Sequence, residues 1–472
     1  MTNDEKGNPK YECRISGFHA MPSPSNDQIS LWDRTLVWHA FTQMAEYEPL
    51  ILDRGEGCYV FDIDGRRYLD AVSSLWCNVH GHRHPRIDAA IRAQLDQVAH
   101  VSNLGTSNPT TIRLAKRLVD LAPPGLGHVF FSDDGATAVE VALKMAFQYW
   151  RQRTDPKPEK TSYVALGEAY HGDTLGAVSV GGVARFHEMF RPLLFETLRA
   201  PAPDTYRLPP GVSDDRLLEY SLAALDRLLA EHHARIAALV IEPLVQAAAG
   251  IIVHPSGYLR GVRELTQKHD VLLIADEVAV GFGRTGRMFA CEHEAVTPDL
   301  LCIGKGLTGG YLPMAATLAS EEIWQAFLGD HASGRTFYHG HTYGGNPLAA
   351  AAAIATLDVF EEERTLEHLP EKIDLLRKLL ASIGLRPHVG DVRQCGLIAA
   401  IELVRDRAKR EAYPAAERIG RRVCDTALQR GVLLRPLGDV IVLWPPLAIS
   451  PEQLAEIAVV VDSAVAEVTE NQ

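Results

Sequence analysis

A lysine between two glycines and a pair of carboxylates are the residues of this sequence best suited to chemistry. Asp276 and Glu277 end an apolar run that begins near Val271, and Lys305 follows the next apolar run, Leu300–Ile303. A lysine amine can join an aldehyde as a Schiff base, and a carboxylate can hold the proton of a pyridine nitrogen. Lys305 and Asp276 therefore suit the aldehyde cofactor pyridoxal 5'-phosphate (PLP), although a lysine in a surface loop would give the same local pattern.

A second feature suits the binding of a phosphate. Gly135 and Ala136 stand between a strand-like run, His128–Phe131, and the helical pattern Ala136–Gln152. Glycine lets the backbone approach an anion, and the N–H groups and dipole of a helix N-terminus attract phosphate. Asp134 is equally suited to capping the helix. Both roles can hold, because a phosphate would bind the N–H groups of Gly135 and Ala136 rather than the carboxylate.

An aromatic residue follows another apolar run. Tyr170 and His171 come shortly after Tyr163–Leu166. A tyrosine in that place could stack on a flat cofactor ring. An isolated Tyr-His pair is more often structural, so this interpretation depends on the other candidate residues.

Two glycine patterns suggest nucleotide sites that the sequence does not support. Gly281–Gly286 matches GxGxxG, but a dinucleotide-binding motif should open a long helix, and Arg287–His293 is short and has no helical repeat. Gly304-Lys305 is similar to part of a phosphate-binding P-loop. Asp299 stands where a P-loop has its first glycine, and Gly306 stands where a P-loop has Ser or Thr. We therefore reject the P-loop and disfavour a nicotinamide-dependent dehydrogenase.

The histidines and cysteines give no support for a metal site. The alternating histidines before Pro85 (His80, His82 and His84) fit a turn at least as well as a metal site, and no set of carboxylates lies near them in the sequence. The seven cysteines are scattered and form no CxxC pair. We therefore predict no metal, and we expect reduced thiols in a cytoplasmic protein.

These residues need a scaffold that brings them together, and the middle of the chain predicts one. Strand-like runs alternate with helical patterns, which indicates an α/β fold with a mostly parallel sheet covered on both faces. In such sheets ligands bind at the carboxyl ends of the strands. The predicted strands are His128–Phe131, Tyr163–Leu166, Ile236–Ile241, Val271–Ala275 and Leu300–Ile303, with helices at Ala136–Gln152 and Ser221–His233.

The C-terminal part has a different pattern, which indicates a smaller α+β domain. We predict helices at Pro370–Ile383 and Pro451–Val468 and short strands at Gly396–Leu403, Leu433–Arg435 and Val440–Trp444. The expected organisation is a flexible tail over residues 1–28, a segment over 29–75 that packs with the small domain, a large PLP-binding domain over 76–339, and the small domain over 340–472.

Bulk composition excludes several classes of protein. The 472 residues carry a formal net charge of −13, which argues against a non-specific nucleic-acid surface. The sequence contains no run of 18 apolar residues, so it predicts no membrane span, and the N-terminus lacks the apolar region of a secretory signal. We therefore expect small molecules as partners, with no nucleic acid and no membrane.

Several longer runs resemble class III PLP-dependent aminotransferases. The run from Leu272 to Gly310, EAYHGDTLGAVSV and FYHGHTYGGNPLAAAAA carry this resemblance. Shorter runs resemble the diaminopelargonate synthase branch, whose members convert 7-keto-8-aminopelargonate into 7,8-diaminopelargonate in biotin biosynthesis: WHAFTQM, SSLWCNVHGHRHP, LKMAFQYW, APAP, FACEH and RPLGDVIVLWPPL. The similarity covers roughly residues 30–468.

The resemblance implies a type I PLP-transferase fold and a homodimer whose active sites lie at the subunit interface. It makes Lys305 the catalytic residue that carries PLP, while Asp276 would bind the pyridine nitrogen, Tyr170 would stack on the ring, and Glu242 would lie nearby. Gly135 and Ala136 would bind the phosphate, and Thr342 would reach the phosphate of the partner's cofactor. It also implies substrate contacts: Arg435 with the substrate carboxylate, and Trp76 and Phe41 in the pocket wall.

Departures from the better-known branch, which takes its amino group from S-adenosylmethionine, bear on the donor. Phe41, Leu75 and His341 stand where that branch has Tyr, Trp and Pro, and they resemble the branch that uses lysine. We therefore favour lysine as the donor and a keto acid as the acceptor. Four further departures have no such account: Ala40, Asp134, Ala247 and Val280.

Three alternative functions remain open from the sequence. A broad ω-amine:pyruvate transaminase would use the same cofactor on other substrates, and Phe41, Leu75 and Val280 would give it a more apolar pocket. A PLP-dependent aminomutase or racemase would show no net amino transfer. A non-catalytic binding homologue with this fold would be colourless when purified.

Overall fold

The computed structural model describes residues 23–470. Most of the tail expected over residues 1–28 therefore lies outside the described residues. Within its last part, the first helix begins at Asn26, and the Ser25 hydroxyl caps it by accepting a hydrogen bond from the Gln28 N–H.

Helices and strands alternate along most of the described chain. The main helices are Asn26–Leu36, Pro85–Leu95, Pro109–Leu121, Gly135–Gln152, Leu175–Val180, Ala184–His187, Leu217–His232, Tyr258–Lys268, Glu321–Ala326, Pro347–Glu362, Thr365–Ile383, Ile419–Gln429 and Pro451–Glu470. The strands are β1 Leu52–Glu56, β2 Tyr59–Asp62, β3 Arg67–Asp70, β4 Leu126–Ser132, β5 Ser162–Leu166, β6 Thr197–Ala200, β7 Ile236–Ile241, β8 Val245–Gln246, β9 Ile252–Val253, β10 Leu272–Asp276, β11 Leu300–Ile303, β12 Ala315–Ser320, β13 Val389–Cys395, β14 Ile398–Leu403, β15 Val432–Leu433, β16 Arg435–Leu437 and β17 Val440–Leu443. No helix within residues 23–470 is both long and apolar enough to cross a membrane.

The chain divides into two units by its internal contacts. Among the described residues, the first unit consists of residues 23–54 together with Phe61–Arg66, and the second consists of Gly55–Val60 and residues 67–470. In the first unit, the Asp33 carboxylate accepts hydrogen bonds from Tyr47 Oη at 2.7 Å and from His39 Nε2 at 3.0 Å. These bonds fasten the helix Asn26–Leu36 to the segment that follows it.

A seven-stranded sheet forms the centre of the second unit, in the order β4-β12-β11-β10-β7-β5-β6. Neighbouring strands pair in parallel from β11 to β6, and β12 alone is antiparallel to its neighbours β11 and β4. Every residue of β7 and β10 is buried, as expected for strands covered on both faces. The predicted α/β fold with a mostly parallel sheet is confirmed.

The register of two adjacent strands positions the acid and the lysine. Asp276, the last residue of β10, pairs with Cys302 of β11, and Lys305 follows three residues later. Both side chains therefore emerge at the carboxyl edge of the sheet. The long helix Gly135–Gln152, which packs against β10, β11 and β12, begins at the same edge.

A second, four-stranded sheet lies in the C-terminal part, in the order β13-β14-β17-β16 with antiparallel pairing. Two details differ from the sequence prediction. The helix predicted from Pro370 begins five residues earlier, at Thr365, and accommodates the proline in its interior. The strand predicted over Leu433–Arg435 is two strands: β15 pairs with β3, whereas β16 pairs with β17.

Candidate active site

A cavity of 740 Å³ opens where the strands of the large sheet end. All of its lining residues belong to the second unit. Seven predicted site residues line it: Lys305, Asp276, Tyr170, Glu242, Gly135, Ala136 and Trp76.

Lys305 is held in an unusual backbone conformation beside this cavity. Its φ of +43° lies in the left-handed region, which a non-glycine residue adopts only at a cost in free energy. Burial lowers the pKa of its ammonium group, while the charges of Asp276 and Glu242 act in the opposite direction. Its Nζ lies 5.6 Å from the centre of the Trp76 ring. The structure therefore favours the neutral amine more than water would, and keeps two carboxylates near it.

Asp276 is fixed by two hydrogen bonds. His171 Nδ1 donates to its Oδ2 at 2.7 Å, and the Val278 N–H donates to its Oδ1 at 3.0 Å. Both members of the Asp276–His171 pair are buried, and His171 Nε2 has no hydrogen-bond partner among the described residues. A buried carboxylate with a charge-assisted hydrogen bond is well suited to hold a protonated ring nitrogen.

His171 is a site residue that sequence reasoning missed. It is 105 positions from Asp276 in the chain, and the sequence pattern predicted a cofactor contact only for its neighbour Tyr170. Its position directly after a predicted cofactor-stacking residue, at the end of a parallel strand, was the available signal.

Glu242 ties two loops together beneath the cavity. Its Oε1 accepts from the Tyr170 N–H at 3.0 Å, and its Oε2 accepts from the Ala247 N–H at 2.9 Å. Burial raises the pKa of this carboxyl to about 7, although the nearby His171 favours the ionised form. Tyr170 itself donates through its hydroxyl to Asp173 at 2.7 Å. Glu242 and Asp173 thus fix the backbone and the ring of Tyr170.

The N-terminus of helix Gly135–Gln152 forms the predicted anion site. Asp134 caps it in a capping box: its carboxylate accepts from the Thr137 N–H, while Thr137 Oγ1 accepts from the Asp134 N–H. The N–H groups of Gly135 and Ala136 precede the first helical hydrogen bonds and stay available to a ligand. A Cβ on Gly135 would lie 2.4 Å from Val278 Cγ1, so the close approach requires glycine.

The donor set fits PLP at both of its ends. Helix N–H groups suit its phosphate, and the buried Asp276–His171 pair suits its ring nitrogen. Buried polar atoms without a partner among the described residues also surround the cavity, including His171 Nε2, Thr174 Oγ1 and Asp133 Oδ1. Such atoms are costly unless a ligand or water satisfies them, so the cavity is built for a polar occupant.

Trp76 ends an irregular turn. It stacks on Trp444, with ring centres 4.6 Å apart and planes inclined by 17°. The preceding residue, Leu75, is 45% exposed and is not among the residues that line the cavity.

Other predicted site residues, for the substrate and for the partner's cofactor, also lie outside the cavity lining. Arg435 is exposed on β16, opposite Val442. Thr342 is exposed and His341 is half-buried on the segment before helix Pro347–Glu362. Phe41 belongs to the first unit, where it is 58% exposed with a φ of +53°. The roles of these four residues remain predictions.

The remaining sequence patterns have local structural roles. Gly281–Gly286 is followed by the short 3-10 helix Ala290–Glu294, not by a long helix, so it does not form a dinucleotide site. Glu277, next to Asp276, accepts from the N–H groups of Ala290 and Cys291 and so fixes that loop. The three alternating histidines have separate partners: His80 bonds to Thr356 O, His82 to Asp70 and His84 to Glu363.

Comparison with known proteins gives a consistent result. The family model of aminotransferase class III matches residues 42–465. The adenosylmethionine-8-amino-7-oxononanoate aminotransferase of Geobacter sulfurreducens is 53% identical, over 92% of this chain and 96% of its own length. The enzyme of that name from Nitratidesulfovibrio vulgaris is 54% identical, over 93% and 82%.

Solved structures agree with the sequence comparison. The crystal structure of the Methanocaldococcus jannaschii enzyme of the same name has a TM-score of 0.89 at 43% identity, covering 94% of this chain and 99% of that chain. The ω-transaminase of Pseudomonas jessenii, in complex with PMP, has a TM-score of 0.89 at 32% identity, covering 94% and 98%.

Proposed function

We propose a function for this chain from the premise that it belongs to the class III aminotransferases. It converts 7-keto-8-aminopelargonate (8-amino-7-oxononanoate) into 7,8-diaminopelargonate in biotin biosynthesis. Four relatives that are 50–54% identical carry the name of that activity, which supports the acceptor. The observation that carries the chemistry is the cavity in which Lys305, the Asp276–His171 pair and the N-terminus of helix Gly135–Gln152 meet.

Class III aminotransferases depend on PLP, and solved relatives contain PLP or PMP. When bound, PLP supplies an aldehyde that joins amines and a pyridine ring that withdraws electrons. Lys305 would bind the aldehyde carbon, Asp276 the ring nitrogen, and the N–H groups of Gly135 and Ala136 the phosphate. Tyr170, fixed through Glu242 and Asp173, would lie against the ring.

Lys305 also has the properties of the residue that moves the proton. An ordinary lysine, with a pKa of ~10.4, would be protonated at neutral pH and could not act as a base. Burial lowers the pKa of Lys305, so a larger fraction of the amine can accept a proton from a substrate carbon. Asp276 and Glu242 favour the ammonium form that results, so Lys305 could hold the proton until it passes it on within the same half-reaction.

We favour lysine as the amino donor, and S-adenosylmethionine is the competing candidate. Leu75 and His341 support lysine by their resemblance to the lysine-dependent branch, whereas the names of the relatives favour S-adenosylmethionine. The two donors differ chemically, because a sulfonium group with an adenosine is far larger than an ε-ammonium. At position 75 the sequence resemblance therefore favours the smaller donor, because Leu75 is not a stacking aromatic residue.

The experiment is a comparison of donors with one acceptor. The PLP-loaded protein is incubated with 7-keto-8-aminopelargonate and with lysine, S-adenosylmethionine or simple amines, and 7,8-diaminopelargonate is measured. Formation of this product with lysine as the best donor is expected. Absence of product with every donor would refute the proposed function, and product with S-adenosylmethionine alone would refute the donor.

A second candidate is a broad ω-amine:pyruvate transaminase. Solved ω-transaminases match this chain with the same TM-score, 0.89, as the Methanocaldococcus enzyme, although at 31–34% identity. Pyruvate is therefore included as an alternative acceptor with simple amines. Turnover of pyruvate that exceeds turnover of the keto acid would favour this candidate.

The proposed active unit is a cytoplasmic homodimer. Thr342 lies on an exposed segment outside the cavity lining, so it fits a contact with a second copy better than one within its own chain. The described cysteines are free, which is consistent with a reducing compartment. Light scattering should give twice the 51.8 kDa of one chain, and a mass of one chain would contradict the shared active site.

A further inference from the structure

Four consecutive residues that lead into the cavity have left-handed backbone conformations. Ser73, Ser74, Leu75 and Trp76 have φ values of +49°, +40°, +67° and +70°, and none is glycine. L-residues normally visit this region singly, because Cβ approaches the following carbonyl oxygen. A run of four persists only when its surroundings hold it in place. We call Ser73–Trp76 the left-handed turn.

The Asp70 carboxylate is one anchor of the left-handed turn. Its Oδ2 accepts from the Ser74 N–H at 2.7 Å, from Ser74 Oγ at 2.9 Å and from His82 Nε2 at 3.0 Å, and its Oδ1 accepts from the Val72 N–H at 3.2 Å. Asp70 is completely buried. A buried carboxylate is stable only when hydrogen bonds replace its water, so it holds its donors, and with them the turn, in one arrangement.

Trp444 is the second anchor. Ser73 Oγ donates to its carbonyl oxygen, and the Trp444 N–H donates to the carbonyl of Ala71 at 2.8 Å. The Trp444 ring supports the Trp76 ring by the stacking described above. Both ends of the left-handed turn are therefore attached, the first through hydrogen bonds and the last through an aromatic face.

We propose that Asp70 is a positioning residue for the active site, a role that rests on the proposed function. By holding the left-handed turn, Asp70 keeps Trp76 against Trp444 as the cavity wall beside Lys305. Asp70 does not line the cavity. Loss of its hydrogen bonds lets the turn relax toward ordinary conformations, which moves Trp76 out of the wall and exposes the adjoining Cys77.

Cys77 reports the state of the turn without any activity measurement. Its N–H donates to Ser73 O at 3.2 Å, its thiol contacts the same oxygen at 3.7 Å, and it is half-buried. In the cofactor-free protein, Asp70→Asn should make alkylation of Cys77 at least about fivefold faster, because opening of the turn becomes more frequent. Cys424, on the helix Ile419–Gln429 and away from the turn, is the internal reference and should react at an unchanged rate. The matched control is Asp299→Asn, which removes an acid that bonds to Arg263 and to a backbone N–H elsewhere.

An unchanged Cys77 rate in Asp70→Asn would overturn the proposal. So would an equal acceleration in Asp299→Asn, or at Cys424, because it would show general loosening instead of release of the turn. If Asp70→Asn does not fold, Ser74→Ala removes only the Ser74 Oγ bond and should give a smaller acceleration in the same direction. An unchanged rate in a folded Ser74→Ala protein would then overturn the proposal.

A rescue experiment tests the strain directly. Glycine adopts positive φ without the steric penalty, so Leu75→Gly should restore protection of Cys77 in the Asp70→Asn protein, and Leu75→Ala should not. Equal behaviour of the two double variants would contradict a held, strained turn. This readout uses the cofactor-free protein, so it stands or fails separately from the proposed function.

Kinetics distinguish positioning from general stability. In the PLP-loaded enzyme, Asp70→Asn should raise the KM for the keto substrate about tenfold and lower kcat less than about threefold, because Trp76 shapes the pocket but moves no proton. Equal loss in kcat and kcat/KM would contradict a positioning role. If the wild-type enzyme shows no amino transfer, the proposed function fails, whereas the Cys77 result still decides whether Asp70 holds the turn.

Discussion

Replacing Glu242 by glutamine in the cofactor-free protein should remove a dependence of folding stability on pH. Glu242 is buried, and burial raises the pKa of its carboxyl from 4.5 to about 7. The unfolded chain exposes the same carboxyl to water. Between the two pKa values, the folded state therefore binds a proton that the unfolded state has released.

The sign and size of the effect follow from this difference. Because the folded pKa is the higher one, the stabilisation is fully present below the unfolded value and is lost as the pH rises through about 7. A difference of about 2.5 pKa units at ~1.36 kcal/mol each corresponds to about 3 kcal/mol. Glutamine does not ionise in this range, so the variant lacks this contribution at every pH.

Urea unfolding from pH 5 to pH 8 at one protein concentration measures the effect. The free energy of unfolding of the wild type, relative to Glu242→Gln, should fall by about 2.5 kcal/mol across this range, because part of the loss already occurs below pH 5. Glu264→Gln removes the charge of an exposed glutamate on helix Tyr258–Lys268 and should follow the wild type. A difference between wild type and Glu242→Gln that stays constant, or that grows with pH, would refute the reasoning.

Three further predictions concern individual contacts. His171→Ala should raise the PLP dissociation constant, measured by fluorescence titration, about thirtyfold, because a hydrogen bond to a charged carboxylate contributes about 2 kcal/mol. An unchanged affinity would contradict the role of the His171–Asp276 pair. Arg435→Lys keeps the charge but loses the two-pronged hydrogen bonding of the guanidinium group, so the KM for the keto substrate should rise about tenfold in steady-state assays while the KM for the donor stays unchanged. An equal rise in the two KM values would refute the carboxylate contact. Gly135→Ala should lower the free energy of unfolding of the cofactor-free protein by about 2 kcal/mol, since the new Cβ would meet Val278. Adding Val278→Ala should recover most of this loss, and a double variant no more stable than the single one would contradict the contact.

The parts of the site that could be predicted from the sequence depend on strand order. The carboxyl ends of adjacent parallel strands meet at one edge, so two apolar runs that end near Asp276 and Lys305 suffice to predict their proximity. The helix that begins at Gly135 was also predictable, because the sequence shows both the glycine and the apolar pattern that follows it. Periodicity also predicted five of the seven strands of the central sheet to within two residues at each end, but neither β6 nor β12.

Other parts depend on contacts between residues far apart in the chain. The His171–Asp276 bond spans 105 positions and leaves no periodic pattern. The left-handed turn contradicts the local preferences of its residues, and Asp70 and Trp444 hold it. The reversed strand β12 is rich in alanine and has Thr317 as its only β-branched residue, so its short run gives little sign of a strand.

The central claim is that Lys305 carries the chemistry of amino transfer, and the visible spectrum of the PLP-loaded protein tests it most directly. The wild type should show an absorption band from lysine-bound PLP that bleaches when the amino donor is added and returns when 7-keto-8-aminopelargonate follows, with formation of 7,8-diaminopelargonate. Lys305→Ala should lose this cycle and its turnover. A Lys305→Ala protein that forms the product at the wild-type rate would contradict the account.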